Sequence, residues 1–578
     1  MKLRDRALVG ILSVALVILS VAALGSSLQT SDSRAEPTPG VVNTRHYVEG
    51  VVGRAGNASP FGARSAADRA LVALLFRGLV RLGPGSSITA DLASSWSVKD
   101  AGRTWTFHLR PGQSWEDGEP ITAEDVAFTV GILSDPTYTG PGGESWRDVS
   151  ATVIDPLTVQ LQLTTPLGGF LQAATQPIAP AHLLEGIPAQ DLAEDPFGQK
   201  PVGSGPFHIV FMLTGRAMLA ANMPVEPIPE DQGGPNFSTP RPTDSLASAA
   251  ATAKPDIAIP YLSQFELRYY DDVASLQDAW TKGELDAASG LPPGAARELA
   301  ATPGARLVTY PGTTVLAIGL NLRGDQPEFA DPAVRRALLG AIDRDALVSN
   351  LLNGLGARAD SLIPPSSPMF DSANSAPIAF NAAAARKALK DAGWTESGDS
   401  WIPKGQTDPL VIELLSPEEP ANPVAYAMAD AVVDSWQGIG LAVRHVPLPV
   451  SELLGDRIAR GEFQAVILPF AIGLDPDVYP LLAASQTRSG GSNIIGLQDP
   501  DLDKLLIAAR TPLTDTLRVT AYAALQARLE ERAYLLPLAF RDEYVVFRDT
   551  VVGPQSRPVG SSGDRYWDVL TWRLADGN

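Results

Sequence analysis

The sequence predicts an α/β protein built from several domain-sized units, and three observations carry that expectation. The chain has 578 residues, several times the roughly 100–150 of a common domain. Period-two apolar runs alternate with capped runs of helical period along most of its length. Strand-like residues 441–446 and 463–468 flank a helical run at 453–458, which is a β-α-β order.

The elements follow in chain order. Lys2, Arg4 and Arg6 precede residues 7–24, eighteen positions without a charge. Such a run is long enough to span a bilayer as a retained anchor. The small residues around Ala23-Leu24-Gly25 also suit a cleaved signal, and on either reading the body is exported. Polar residues 26–44 read as a flexible stalk. A helix is expected over 66–79, ending at Gly78 or Gly83. Trp96 and Val98, a turn at 99–102, and the alternation of Trp105, Phe107 and Leu109 predict a hairpin. Thr122-Ala123-Glu124-Asp125 reads as a capping box that starts a helix.

A second strand pair is expected over 149–163, and the glycines around Ser204 suit a chain crossing. Ser204 lacks the setting of a nucleophile elbow. Residues 223–259 are rich in Pro, Ser, Ala and Thr and read as a mobile surface insertion. Strands are expected at 265–272 and 315–320. Asp331-Pro332 caps a helix whose Val334, Ala337, Leu338 and Ala341 fall on one face. Arg335 and Arg336 read as its solvated face. Asn381 caps residues 382–392, and Val424, Met428, Val432 and Trp436 stripe the next helix. Helices to about 533 and closing strands at 535–538 and 544–547 complete the chain.

Composition narrows the function. Net charge is −20, with no concentrated basic run, so no nucleic-acid partner is expected. Cysteine is absent, which removes disulfides, thiolate chemistry and a lipid-modified cysteine anchor. The five histidines are far apart, and no pair has metal-ligand spacing. Capping accounts for Glu124 and Asp125. No phosphate or dinucleotide loop occurs, so neither catalytic residues, metal nor cofactor are expected.

The segment LASSWSVKDAGRTWTFHLRPGQSWEDGEPITAEDVAF resembles the signature of family 5 extracytoplasmic solute-binding proteins, the peptide- and nickel-type receptors of ABC importers. PIAPAHLL, the PVGSGPF turn and DPAVRRALLGAIDRDALVSNLLNG resemble further landmarks in the family's order. The resemblance implies an α/β, two-lobed periplasmic-binding-protein-like fold (type II) with an additional subdomain. It divides the chain into lobe I (45–80, 205–310 and 535–578), the subdomain (81–204) and lobe II (311–534). It implies a monomeric receptor on the extracytoplasmic side of a bacterial membrane. That receptor would pass a peptide or peptide-like solute to ABC permease subunits. An envelope sensor or scaffold keeping the fold is the alternative, with an exported hydrolase behind it.

In peptide-binding relatives an aspartate beside a ligand-pairing strand holds the peptide's α-ammonium. That position falls on Ile472 here, within Pro469-Phe470-Ala471-Ile472-Gly473-Leu474-Asp475. Val450 stands near a position where such relatives carry tryptophan. An aliphatic chain cannot neutralise an ammonium. Either another acid serves, with Asp475 or Asp68 as candidates, or the ligand lacks a free amine, as N-blocked peptides and neutral saccharides do. The ligand-binding set so implied is Asp68, Phe470, Ala471, Ile472, Asp475 and Asn493.

Overall fold

A computed structural model describes residues 46–222, 261–398, 400–488 and 490–575. The uncharged run at 7–24, the stalk and the insertion at 223–259 lie outside them. Among the described residues no helix is long and apolar enough to cross a membrane.

Strand β1 (His46–Val52) leads to helix α1 (Ala66–Leu75). Ser65 caps α1 in a full capping box with Asp68. The expected extension to residue 79 does not form. Phe76 turns extended, because the amides of Ser204 and Gly205 both bond the Leu75 carbonyl, at 2.9 and 2.7 Å, and close the helix there. A Cβ on Gly205 would meet the Leu74 carbonyl at 2.6 Å, so this close approach requires glycine.

The expected hairpin forms as β2 (Ala93–Lys99) and β3 (Thr104–Leu109), with Trp105, Phe107 and Leu109 buried. Thr122 and Asp125 cap α2 (Ala123–Ser134) as read. The second Asp125 oxygen accepts the Ala181 amide at 2.9 Å, and the Thr129 hydroxyl accepts that of Ala179 at 3.0 Å. One capped helix thus holds the PIAPAHLL segment in place. Strands β4 (Val149–Asp155) and β5 (Thr158–Leu163) complete a four-stranded sheet in the order β2-β3-β5-β4. Its apolar face shares one core with α1 and β1.

Strands β6 (Phe207–Leu213), β7 (Arg216–Ala221), β8 (Gln264–Tyr270) and β9 (Ala287–Ser289) join β1 in a large sheet. The 16-residue β10 (Ala305–Leu320) then runs out of this body. Helix α3 (Pro332–Gly340) is capped by Asp331, as expected. Its Arg335 is no solvated face, however. It is 3% exposed, and its three guanidinium nitrogens donate to the carbonyls of Phe329, Ala330, Arg532 and Ala533, tying the segment before α3 to the end of α6.

Strand β11 (Val411–Pro417), helix α4 (Pro423–Gly438), strand β12 (Ala442–Leu448) and strand β13 (Ala465–Ala471) make the second body, and β11 pairs parallel with both β12 and β13. Helices α5 (Pro500–Arg510) and α6 (Asp515–Arg532) cover it, and β14 (Leu535–Arg548) returns to the first body.

The sheet order is β12-β11-β13-β10-β14-β9-β1-β8-β7-β6, with the short strand Gly356–Arg358 also on β14. Only β10 and β14 carry that order from one lobe to the other. Val308 and Tyr310 of β10 belong to the first core, while Leu316 and Ile318 belong to the second. Between them the β10–β14 register shifts from Tyr310↔Glu543 to Thr314↔Arg541. This bulge lies where the sheet passes from one lobe to the other in a two-lobed α/β fold.

Candidate functional site

Among the described residues, one cavity has a volume of about 1240 Å³. One wall is α1, through Arg69, Val72 and Ala73; others are the subdomain turns 113–116, 141–146 and 172–176, and residues 561–570. Arg77 fixes the floor. Its Nε donates to Asp91 and its Nη1 to Gln113, each at 2.7 Å, while its own amide donates to the Ser204 hydroxyl at 3.1 Å. Ser204 is thereby a structural acceptor.

No described residue of 311–534 lines this chamber, but the loop after β13 touches chain segments adjoining its lining residues Ser561 and Gln172. Leu474 lies against Gly560, and the Asp475 carboxylate against Gly169. The Gly168 amide donates to the Arg510 carbonyl at 2.7 Å, a main-chain bond across the seam. Behind it sit two ion pairs, Asp475 with Arg518 and Asp477 with Arg510, the latter at 3.1 Å. Arg510 stacks on Tyr479 at 4.3 Å and Arg518 on Tyr522 at 5.5 Å.

The six residues implied by the resemblance are not brought together as one lining. Phe470 on β13 and Ile472 just past its end turn into the second lobe's core, 7% and 6% exposed; Ala471 between them is exposed. Phe470 and Ile472 both pack in one buried cluster with Val315, Ala317 and Phe540. Asp68 accepts the amides of Gly56, Asn57 and Ser65 at 2.7–2.9 Å and holds the entry to α1. Asn493 is 2% exposed; its amide donates to the Ala483 and Leu497 carbonyls and its oxygen accepts the Leu497 amide. Both polar side chains are spent inside the protein. Asp475 reaches the seam, committed to Arg518.

Sequence reasoning missed Arg510 and Arg518, which occur in helices of ordinary pattern. It also missed Arg541 and Glu543 on the hinge strand. A signal for that pair existed, since Arg541-Asp542-Glu543 interrupts an apolar run from 535 to 547.

Residues 87–492 match the model of the family described as "Bacterial extracellular solute-binding proteins, family 5 Middle". The chain belongs to this family. The oligopeptide-binding protein AppA of Bacillus subtilis (strain 168) is 24% identical over 522 residues, covering 88% of this chain and 89% of AppA. The dipeptide-binding protein of Escherichia coli (strain K12) is 24% identical over 512 residues, with 84% and 87% covered. Among solved structures, AppA from Bacillus subtilis in complex with a nonapeptide has a TM-score of 0.72 at 21% identity, over 92% of this chain and 99% of that one. NikZ from Campylobacter jejuni in complex with Ni(L-His) has a TM-score of 0.71 at 21% identity, over 92% and 100%. The two-lobed fold of this family 5 protein is thus shared by proteins crystallised with chemically different ligands.

The acids of this family 5 protein imply a pH dependence. Burial raises the carboxyls of Asp477 and Asp542 to about 6 and that of Asp568 to about 7. Each folded value lies above the roughly 3.9 of an unfolded aspartate. The folded state therefore holds more protons than the unfolded chain between about pH 4 and 7. Stability is full below that window and falls as pH rises through it. Calorimetric melting should give a Tm that drops from pH 5 to pH 8; a Tm that is flat or rises across this range would contradict the assignment.

Proposed function

We propose that this chain is the extracytoplasmic receptor of an ABC importer, capturing a peptide or peptide-like solute between its lobes and passing it unchanged to a permease. The carrying observation is a chamber of about 1240 Å³ in the first lobe and subdomain, beside which Leu474 and Asp475 of the other lobe touch Gly560 and Gly169, with β10 and β14 as the joining strands. Such an arrangement lets a solute touching both lobes favour the closed state through its differential contacts. The similarity to peptide-binding relatives supports a peptide as solute. On this reading lobe I comprises 45–80, 205–310 and 535–578, the subdomain 81–204 and lobe II 311–534. The protein works as a monomer held to the membrane by its N-terminal segment.

Titration calorimetry of the full chain with free di-, tri- and nonapeptides tests the reading. Saturable 1:1 binding is expected, with the peptide recovered intact by mass spectrometry. Recovery of cleaved peptide, or no heat with any of them, would overturn it.

A further inference from the structure

The hinge segment of β14 carries charges that the rest of the fold does not use. Residues 535–540 and 545–547 are buried, whereas Arg541, Asp542, Glu543 and Tyr544 are half-buried. Alternation places Arg541 and Glu543 on the face shared with Val545 and Phe547, which pack in the core beneath α1. Arg69 and Asp564, which line the chamber, lie among the charges that act on Glu543, although Arg541 and Glu543 are not themselves in that lining. Asp542 and Tyr544 take the opposite face.

The charged groups facing Glu543 are Arg541 from its own strand, Arg69 from α1, and Asp564 and Arg565 from the C-terminal segment. Most of these are committed. Arg565 grips Glu49, and Asp564 accepts the amides of Gly560 and Ser561 at 2.8 and 3.0 Å. Arg69 donates to the Arg64 carbonyl, and its buried Nε has no partner among the described residues. Neither Arg541 nor Glu543 has a side-chain hydrogen bond or an ion pair within 4 Å among the described residues. Burial accordingly holds the Glu543 carboxyl above its ordinary range, against the pull of the nearby arginines.

Unlike charges half-removed from water and left unpaired are costly within a fold but serve as receptors for opposite charges. Their spacing states which ones. Two positions along a strand are about 6.5–7 Å apart, and two residues of extended peptide span about the same length. We propose that Glu543 and Arg541 form a hinge-borne clamp for a small zwitterion of dipeptide length, Glu543 taking the ammonium and Arg541 the carboxylate. This rests on the receptor reading above and assigns the free-amine acid to the hinge strand instead of the loop after β13. Because the clamp sits where the register shifts, a ligand held there also fixes the angle between the lobes.

The test uses Ala-Phe, N-acetyl-Ala-Phe and Ala-Phe amide with the full chain and its Glu543→Gln and Arg541→Gln variants. Neither side chain has a protein partner to lose, and equal circular dichroism and Tm would confirm that the variants fold. Acetylation and Glu543→Gln should each weaken binding at least tenfold, with no further loss when combined. Amidation and Arg541→Gln should behave as the second such pair. If Glu543→Gln binds Ala-Phe as tightly as the unaltered chain, the clamp is wrong. It is equally wrong if the protein binds a nonapeptide but no dipeptide, an outcome that leaves the receptor reading standing. Failure of every peptide would remove both.

Discussion

Replacing Arg565 by leucine is expected to destabilise the protein by about 3–5 kcal/mol. Glu49 lies in the middle of β1 with no exposed surface. Its carboxylate is held by both Arg565 terminal nitrogens, at 2.6 and 3.3 Å, by Ser289 at 2.5 Å and by the Tyr47 and Tyr566 hydroxyls at 3.1 and 3.2 Å. Burial alone would lower the Arg565 pKa, but the adjoining carboxylate raises it instead, so the cation persists in the core. Removing the cation leaves an anion with hydroxyl donors and no countercharge in a low-dielectric centre. Denaturant unfolding of the variant measures the loss. The double variant Glu49→Gln with Arg565→Leu should recover most of it, since a neutral amide can accept from Ser289 with its oxygen and donate to the Tyr47 hydroxyl with its nitrogen, without needing a cation. A single-variant loss under about 1 kcal/mol would show that water or a second cation reaches Glu49.

Substituting alanine for Gly169 should leave folding nearly unchanged and weaken ligand binding at least tenfold, about 1.4 kcal/mol. The Gly169 φ of −85° is open to any residue, so no backbone strain arises. The obstacle is the neighbour. A Cβ there would overlap the Asp475 carboxylate, which Arg518 already fixes from the second lobe. Only the state with the lobes in contact suffers, and the free energy of separating them is subtracted from binding. Calorimetric titration beside thermal melting distinguishes this from general damage. Unchanged affinity would mean that the Gly168–Gly169 seam is not part of the ligand-bound state.

Much of the local architecture was legible in the sequence because its causes are local. The capping box at Thr122 and Asp125, the Asp331-Pro332 helix start and the alternation of Trp105, Phe107 and Leu109 each depend on residues within one turn or one strand. The helix expected to reach residue 79 failed for a non-local reason. Its carbonyl at Leu75 is claimed by amides about 130 positions later in the chain, at Ser204 and Gly205. Arg335 misled for the same cause, since its four carbonyl partners include two at the far end of α6.

The candidate site divides along the same line. Family, fold class and the absence of cysteine chemistry were readable from motif order and composition. The roles of individual polar residues were not, because a carboxylate is spent or free according to which amides and cations the tertiary fold delivers to it. Asp68 and Asn493 look available in one dimension and are saturated in three. Ile472, read as a lost charge beside the ligand, is buried with Phe470 in the second lobe's core. Glu543, unremarked in sequence, is left without a partner at the hinge because the cations around it are engaged elsewhere or stand beyond ion-pair distance. Covalent order sets helix starts, strand faces and chemical inventory. Which charges remain for a ligand is decided only when segments hundreds of residues apart compete for the same donors and acceptors.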